Sequence, residues 1–270
     1  MASNQLLDGK KGIVFGLAND RSYAWYISEA LFNAGAEVIF SYYPTEKNER
    51  RFRNGLRDMG HESAEAYPCD VTRDEDLDRM FQQIAQKHDK IDFLVHSVAY
   101  ANKDYLRVGR FHETPRDVWN VALDTSAYSL VAMAQRVKPL MKDGGSILSL
   151  SYLGGEKVVP GYNVMGVAKA ALEMSSRYLA MELGRQNIRV NCISGGPLKT
   201  LSAMGIANFD VILRHHEQCA PLQRNINGDD VGSTAVFLLS EQSSAITGEV
   251  LHLDTGFHIL ANFCGKEKYM

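Results

Sequence analysis

The sequence predicts an α/β protein: one doubly wound domain with a seven-stranded parallel sheet and helices on both faces. Short runs rich in Val, Ile and Phe alternate with amphipathic helical stretches almost from end to end. Strands that are apolar on both faces and separated by helices imply right-handed crossovers and a sheet covered on either side. No linker, repeat or low-complexity segment interrupts the series, so residues 1–270 read as a single domain.

In chain order, strands are expected at 12–15, 37–43, 64–69, 91–96, 146–151, 189–194 and 250–254. Helices are expected between them at 22–34, 46–59, 74–88, 115–141, 163–186 and 229–240. Thr72-Arg73-Asp74-Glu75 reads as a capping box at the third helix, and Thr114-Pro115 as a cap before a first-turn proline. One stretch breaks the rhythm: residues 195–228, which include an apolar, partly helical piece at 198–213. Excess chain at the carboxyl end of a strand in such a sheet forms part of a ligand crevice more often than a plain surface excursion.

Composition narrows the classes. The chain is 45% hydrophobic and 23% charged, as in ordinary soluble proteins, and its formal net charge of -3 gives no support for nucleic acid or an anionic membrane as partner. Residues 1–11 carry no apolar signal region and no run is long enough to span a bilayer, so a cytoplasmic protein is expected. Cys69, Cys192, Cys219 and Cys264 are scattered with no Cys-x-x-Cys unit, and Cys69 and Cys192 fall in apolar runs where a reduced, buried thiol is the default.

The first strand runs into Gly16-Leu17-Ala18-Asn19-Asp20-Arg21-Ser22-Tyr23-Ala24 and then a helix. This is not the usual G-x-G-x-x-G fingerprint, but it meets the same needs. Gly16 permits a tight turn, Ser22 offers a hydroxyl, Ala24 lets the helix approach, and the helix-start N–H groups face a pyrophosphate. Asp70-Val71 follows the third strand, where a carboxylate either accepts from an adenine amine or simply forms a turn. Ser97-Val98-Ala99 follows the fourth, small enough for a flat ring or ribose to lie against. The second strand ends at Tyr42-Tyr43 with neither acid nor base, and Lys47, Arg50 and Arg51 beyond it share a helix with Glu46 and Glu49, as a solvated face does. NADH is favoured on this reading, with NADPH not excluded.

Tyr162 and Lys169 lie seven apart at the start of a helical run, nearly two turns and so almost on one face. Tyr152 stands ten residues upstream, just past a strand. Such a pair can aim a phenolic donor and an ammonium into one cleft.

Taken together, these motifs resemble the bacterial enoyl-acyl carrier protein reductases, a divergent branch of the short-chain dehydrogenase/reductase superfamily with a Rossmann-type fold. The resemblance covers residues 7–257 and rests on separated motifs in order: Gly16-x5-Ser22-x-Ala24, Cys69-Asp70-Val71, Val95-His96-Ser97, Leu150-Ser151-Tyr152-Leu153-Gly154, Tyr162 through Lys169, Arg189-Val190-Asn191, Gly196-Pro197-Leu198-Lys199-Thr200-Leu201 and Gly248-Glu249-Val250. Spacing discriminates. Ordinary members carry Tyr-x-x-x-Lys, but Met165 stands four before Lys169, while Tyr162 stands seven before it with Tyr152 upstream.

The resemblance implies an NADH-dependent enoyl-acyl carrier protein reductase, an oxidoreductase of fatty-acid biosynthesis acting on CH–CH donors. Its substrate would be an enoyl thioester on acyl carrier protein. Charge collecting on the thioester oxygen would be met by a hydrogen-bond donor, for which Tyr162 is the candidate. Lys169 would hold the nicotinamide ribose, and Tyr152 would line the acyl site. Gly16, Ser22, Tyr23, Tyr43, Asp70, Val71, Ser97 and Val98 would bind cofactor. So would Leu198, Lys199, Thr200, Leu201 and Ser202, closing over it within a lid at about 196–228. Ala101 would touch substrate, and a homotetramer is implied, with residues 115–141 and 163–186 as interface candidates. Three places depart from the family pattern: Tyr43 stands where many members have glutamine, and the runs at Gly195-Gly196-Pro197 and Asp254-Thr255-Gly256 each differ by a residue.

No metal site is expected. The eight histidines show no ligand spacing and no cysteine joins them; adjacent His215 and His216 point apart on a helix. His96 reads as a core residue, and Trp25 and Trp119 as packing. Ser149 and Ser151 lack a Gly-x-Ser-x-Gly elbow, which argues against a hydrolase. Two rivals remain: a carbonyl reductase of the same fold, which needs a donor where Met165 stands, and a nucleotide-binding redox sensor without chemistry, which needs no Tyr/Lys pair.

Overall fold

Seven strands form one parallel sheet in the order β3-β2-β1-β4-β5-β6-β7. They are β1 (Lys11–Phe15), β2 (Glu37–Tyr42), β3 (Ala66–Pro68), β4 (Phe93–His96), β5 (Gly145–Ser151), β6 (Ile188–Gly195) and β7 (Val250–Leu253). The computed structural model describes residues 5–19, 22–200 and 209–261. Among them, the helices are α1 (Tyr23–Asn33), α2 (Glu46–Asp58), α3 (Asp74–Lys87), α4 (Arg116–Leu123), α5 (Ser129–Val137), α6 (Asn163–Leu183), α7 (Phe209–Cys219) and α8 (Gly228–Leu239).

Strand alternation feeds two cores. In β1, Ile13 and Phe15 enter one buried cluster with Leu77, Met80 and Ile84 of α3, Leu130 and Met133 of α5, and Leu172 of α6. Val14 enters the other, with Ala24, Ile27 and Leu31 of α1, Phe52 and Leu56 of α2, and Val231 and Ala235 of α8. The helical spacing of three and four that puts these residues on one face explains why both sheet faces are covered.

The chain winds outward from β1 to β3 and then returns to start again at β4, beside β1. This reversal opens a crevice at the carboxyl ends of β1 and β4. Gly16 sits there with φ +95°, and a Cβ on it would lie 2.0 Å from the Ser97 carbonyl oxygen. Only glycine lets the two strand ends come so close.

Several sequence expectations need correction. The stretch 115–141 is not one helix: a π turn (Asp124–Tyr128) separates α4 from α5, and a 3-10 turn (Lys138–Leu140) ends it. Serine hydroxyls accompany the irregular turn. Ser126 Oγ accepts from the Tyr100 N–H at 3.0 Å and donates to the Tyr100 carbonyl, tying the helix to the loop after β4. Thr72 does not cap α3; its hydroxyl and N–H both go to Asp70 Oδ1, and Arg73 holds the cap position without a side-chain bond. Thr114 likewise donates to the Phe111 carbonyl, and α4 starts after Pro115 rather than on it. The third and fourth strands are shorter than expected, at Ala66–Pro68 and Phe93–His96. Trp25 and Trp119 are half-buried packing residues, as read from the sequence; Trp25 leans on the second cluster and Trp119 on Phe111.

Candidate active site

β5 delivers Ser151 to the crevice and Tyr152 directly after it, at the start of a 3-10 turn (Leu153–Gly155). The chain then loops back to Tyr162, which occupies the cap position of α6. The two phenol rings meet edge to face, centroids 5.0 Å apart at 72°. A bare backbone permits this: a Cβ on Gly154 would stand 2.4 Å from the Tyr162 ring. Among the described residues neither hydroxyl has a hydrogen-bond acceptor, so both O–H groups remain available.

Tyr23, the first residue of α1, joins them. Its hydroxyl donates to the Gly196 carbonyl at 2.7 Å, linking α1 to the chain leaving β6. Burial pushes all three phenols up, and their mutual repulsion as phenolates adds to this for Tyr23 and Tyr162. All three are therefore O–H donors at neutral pH, not bases.

Lys169 is buried and its Nζ donates to the Leu150 carbonyl at 2.6 Å. Burial pulls the amine down to about 8, while Cys192 and Glu173 act in the opposite direction. Lys169 and Tyr162 share a stretch of α6, yet no hydrogen bond joins them among the described residues. Behind them His96 is buried, with Nε2 2.7 Å from Ser129 Oγ. Ser129 donates to the Thr125 carbonyl, so the ring N–H must be on Nε2, and Nδ1 is left buried without a partner among the described residues. Burial, reinforced by the nearby Lys169 charge, pulls His96 down to about 3, so it is neutral.

On the β1–β3 side the named polar groups are engaged locally. Ser22 caps α1: its Oγ accepts from the Trp25 N–H at 3.1 Å and donates to the Asn19 carbonyl at 3.0 Å. Asp70 forms a turn, its carboxylate accepting from Thr72 and its N–H donating to Asp76. Tyr43 is exposed just past β2, and Tyr42 donates to Glu49. Val71 and Val98 lean on the first core, Ser97 pairs its N–H with the Phe15 carbonyl, and Ala101 is half-buried after β4. Each of these candidate cofactor and substrate residues follows the carboxyl end of one of the parallel strands β1 to β4, and Ser97 meets Gly16 directly.

In the segment after β6, Leu198 packs on the second core, Lys199 pairs with Asp210 at 3.6 Å, and Thr200 is buried with its N–H on the Leu198 carbonyl. Leu201 and Ser202, named from the sequence, and Cys264 lie outside the described residues. A cleft of about 410 Å³ lies between Leu198, Lys199, Leu213 and Arg214 of α7, and Tyr26.

Glu173 was missed from the sequence. It is buried one turn after Lys169 and accepts from Ser151 Oγ, and its i,i+4 relation to the lysine was the signal available. Cys219 and His215 do meet one helical turn apart on α7, with Cys219 Sγ 3.6 Å from His215 Nδ1. No group of three or more His, Cys, Asp or Glu among the described residues could hold a metal. Cys69 and Cys192 are buried free thiols, each pushed up by burial to about 12, and so unreactive.

Residues 16–258 match the sequence family described as enoyl-(acyl carrier protein) reductase. The chain is 49% identical over 256 residues, 95% of its length and 99% of the relative's, to the enoyl-acyl carrier protein reductase (NADH) FabI of Bacillus cereus. It is 45% identical over 254 residues to the Staphylococcus aureus enzyme named as NADPH-dependent, covering 94% of this chain and 98% of that one. A crystal structure of the Bacillus cereus protein with NADP+ and indole naphthyridinone superposes with a TM-score of 0.91, covering 94% of this chain and 98% of the other.

Proposed function

Because the chain belongs to the enoyl-acyl carrier protein reductase family, we propose that it reduces the trans-2 double bond of an enoyl thioester on acyl carrier protein, with NADH as reductant. The observation that carries this is the edge-to-face pair Tyr152 and Tyr162, two half-buried phenols whose hydroxyls have no acceptor among the described residues.

The crevice suits a dinucleotide. Gly16 leaves bare backbone where β1 and β4 meet, against Ser97; Val98 after β4 and Asp70 and Val71 after β3 would complete the cofactor side. A nicotinamide cofactor would supply hydride to the β-carbon of the substrate. The protein's part is the charge that then gathers on the thioester oxygen. Tyr162, kept protonated by burial, would donate to that oxygen, a bond that strengthens as the transition state forms. Tyr152 packs against its ring, orients it and lines the acyl site with Ala101. Lys169, anchored on Leu150 and poised near neutrality at about 8, would hold the nicotinamide ribose and keep the local field positive.

Ser22 and Asp70 would serve the cofactor through the turns they shape, leaving N–H groups to face the phosphates. Tyr23 would close the base of the site, and Tyr43 would flank the adenosine. The segment 196–228 would act as a lid over the acyl chain, with Leu198, Lys199 and Thr200 at its start and Leu201 and Ser202 beyond. With neither acid nor base at the tip of β2, NADH is the preferred reductant, and the exposed Lys47, Arg50 and Arg51 of α2 are the groups that would let NADPH serve.

The chain would work as a cytoplasmic homotetramer. Val121 of α4, Tyr128 of the π turn, and Met174, Tyr178 and Met181 of α6 are exposed apolar residues, too many for a free surface. No described helix is long and apolar enough to cross a membrane.

The test is oxidation of NADH and NADPH with a crotonyl thioester beside a β-ketoacyl thioester, on wild type and Tyr162→Phe. Turnover of the enoyl substrate alone, weakened in the variant, supports the assignment. Turnover of the keto substrate alone would replace it with carbonyl reduction, although buried Met165 offers no donor for that chemistry.

A further inference from the structure

We propose that Glu173 is a positioning residue for Tyr162 and Lys169: it locks α6 onto the turn that carries Tyr152 and sets a carboxylate one helical turn from the Lys169 amine. The inference rests on the catalytic reading above and adds a residue to it.

Glu173 is 2% exposed, the most buried carboxylate among the described residues. It sits one helical turn past Lys169 and accepts a hydrogen bond from Ser151 Oγ, the residue that leads into Tyr152. Its Oε1 lies so close to the 3-10 turn that a Cβ on Gly155 would stand 2.5 Å away. One side chain thus holds together the two segments that present the phenols. A buried carboxylate is costly unless it is paired and hydrogen-bonded, and the Ser151 hydroxyl meets that need here.

Several groups face it. On α6 are Lys169 and Arg177, Glu156 follows the 3-10 turn, His252 comes from β7 and Cys192 from β6. Burial pushes the Glu173 carboxyl up, while the Ser151 hydroxyl, Arg177 and His252 favour its ionised form. Its charge works on both members of the pair, raising the proton affinity of Lys169 and opposing loss of the Tyr162 proton.

The experiment uses the full-length enzyme and the variants Glu173→Gln, Glu173→Asp and Ser151→Ala. The nitrogen-15 shift of Lys169 Nζ is titrated without turnover, and kcat/KM for crotonyl thioester is measured across pH. Glu173→Gln should lower the Lys169 midpoint by about half a pH unit or more, and the basic limb of kcat/KM should move with it. Glu173→Asp should restore the midpoint at reduced kcat. Ser151→Ala should reduce kcat and leave the midpoint in place. A Lys169 midpoint unmoved in Glu173→Gln overturns the inference, whatever activity is lost. A midpoint that moves while the basic limb stays put supports the role of Glu173 and instead removes Lys169 from the reaction. If Glu173→Gln does not fold, the other two decide: unchanged kcat in Ser151→Ala and Glu173→Asp overturns the positioning role.

Discussion

On the β5–α6 side of the crevice the reactive atoms are turned away from the scaffold, whereas on the β1–β3 side the polar side chains are consumed by it. Tyr152 and Tyr162 spend their rings on packing and keep both hydroxyls unengaged among the described residues. Ser22 and Asp70 do the reverse, spending hydroxyl and carboxylate on a helix cap and a turn. The difference follows from what each half would bind. A developing oxyanion needs a side-chain donor aimed at one point, while a pyrophosphate is met by backbone N–H groups that the local turns hold in place. Side chains are therefore decisive on one side and architectural on the other.

The contrast breaks most severely at Gly16. Gly16→Val places a Cβ 2.0 Å from the Ser97 carbonyl oxygen at φ +95°, and that neighbour is backbone directly after β4, which pairs with β1 and cannot yield easily. A loss of about 3 kcal/mol or more in urea unfolding is expected. A loss under about 1 kcal/mol would mean the crevice floor is compliant, and the architectural reading of this half would go.

Next comes the side-chain half. Tyr162→Phe should lower kcat by roughly 10²–10³-fold, the cost of one donor to an oxyanion, and leave NADH affinity unchanged in a fluorescence titration. Tyr152→Phe should cost less, because its part is to orient and line. Equal losses for the two would move the donor role onto the pair.

Lys169 sharpens the comparison in a different currency, that of stability. Burial lowers its amine from 10.5 to about 8, so the unfolded chain holds the proton more tightly than the folded one. The folded state carries that penalty in full below about 8 and sheds it as pH rises towards 10.5. Relative to Lys169→Met, wild type should therefore gain on the order of 1.4 kcal/mol per pH unit across that window, read by urea unfolding at each pH. Parallel curves for the two proteins would show that the amine is not desolvated.

The same division governs what could be read from residues alone. All seven strands were legible because a short apolar run buried on both faces is a local signal, and the spacing of Tyr152, Tyr162 and Lys169 placed the phenols correctly at the edge of β5 and the start of α6. Failures came where a side chain took a partner that the helical pattern does not show. The π turn at Asp124–Tyr128 accompanies bonds from Ser126 to Tyr100 and from His96 to Ser129, which no helical period reveals. Thr72 looked like a cap, but Asp70 captured it. The link from Tyr23 to the Gly196 carbonyl joins residues 173 apart in sequence and leaves no trace in either segment.

Ser22 offers the finest test, since it was read from the sequence as a donor to the cofactor and stands in the structure as a helix cap. Ser22→Ala removes the acceptor for the Trp25 N–H and should cost about 1 kcal/mol of stability. That loss alone does not separate the two roles, because a frayed α1 would also disturb the N–H groups facing a phosphate. Ser22→Asn does separate them. Its side-chain oxygen restores the cap acceptor but carries no hydroxyl. If the hydroxyl serves only the helix, Ser22→Asn should recover both thermal stability and the NADH KM. Recovery of stability with a KM still raised would put the hydroxyl on the cofactor, and the β1–β3 half would then hold at least one side chain as decisive as Tyr162.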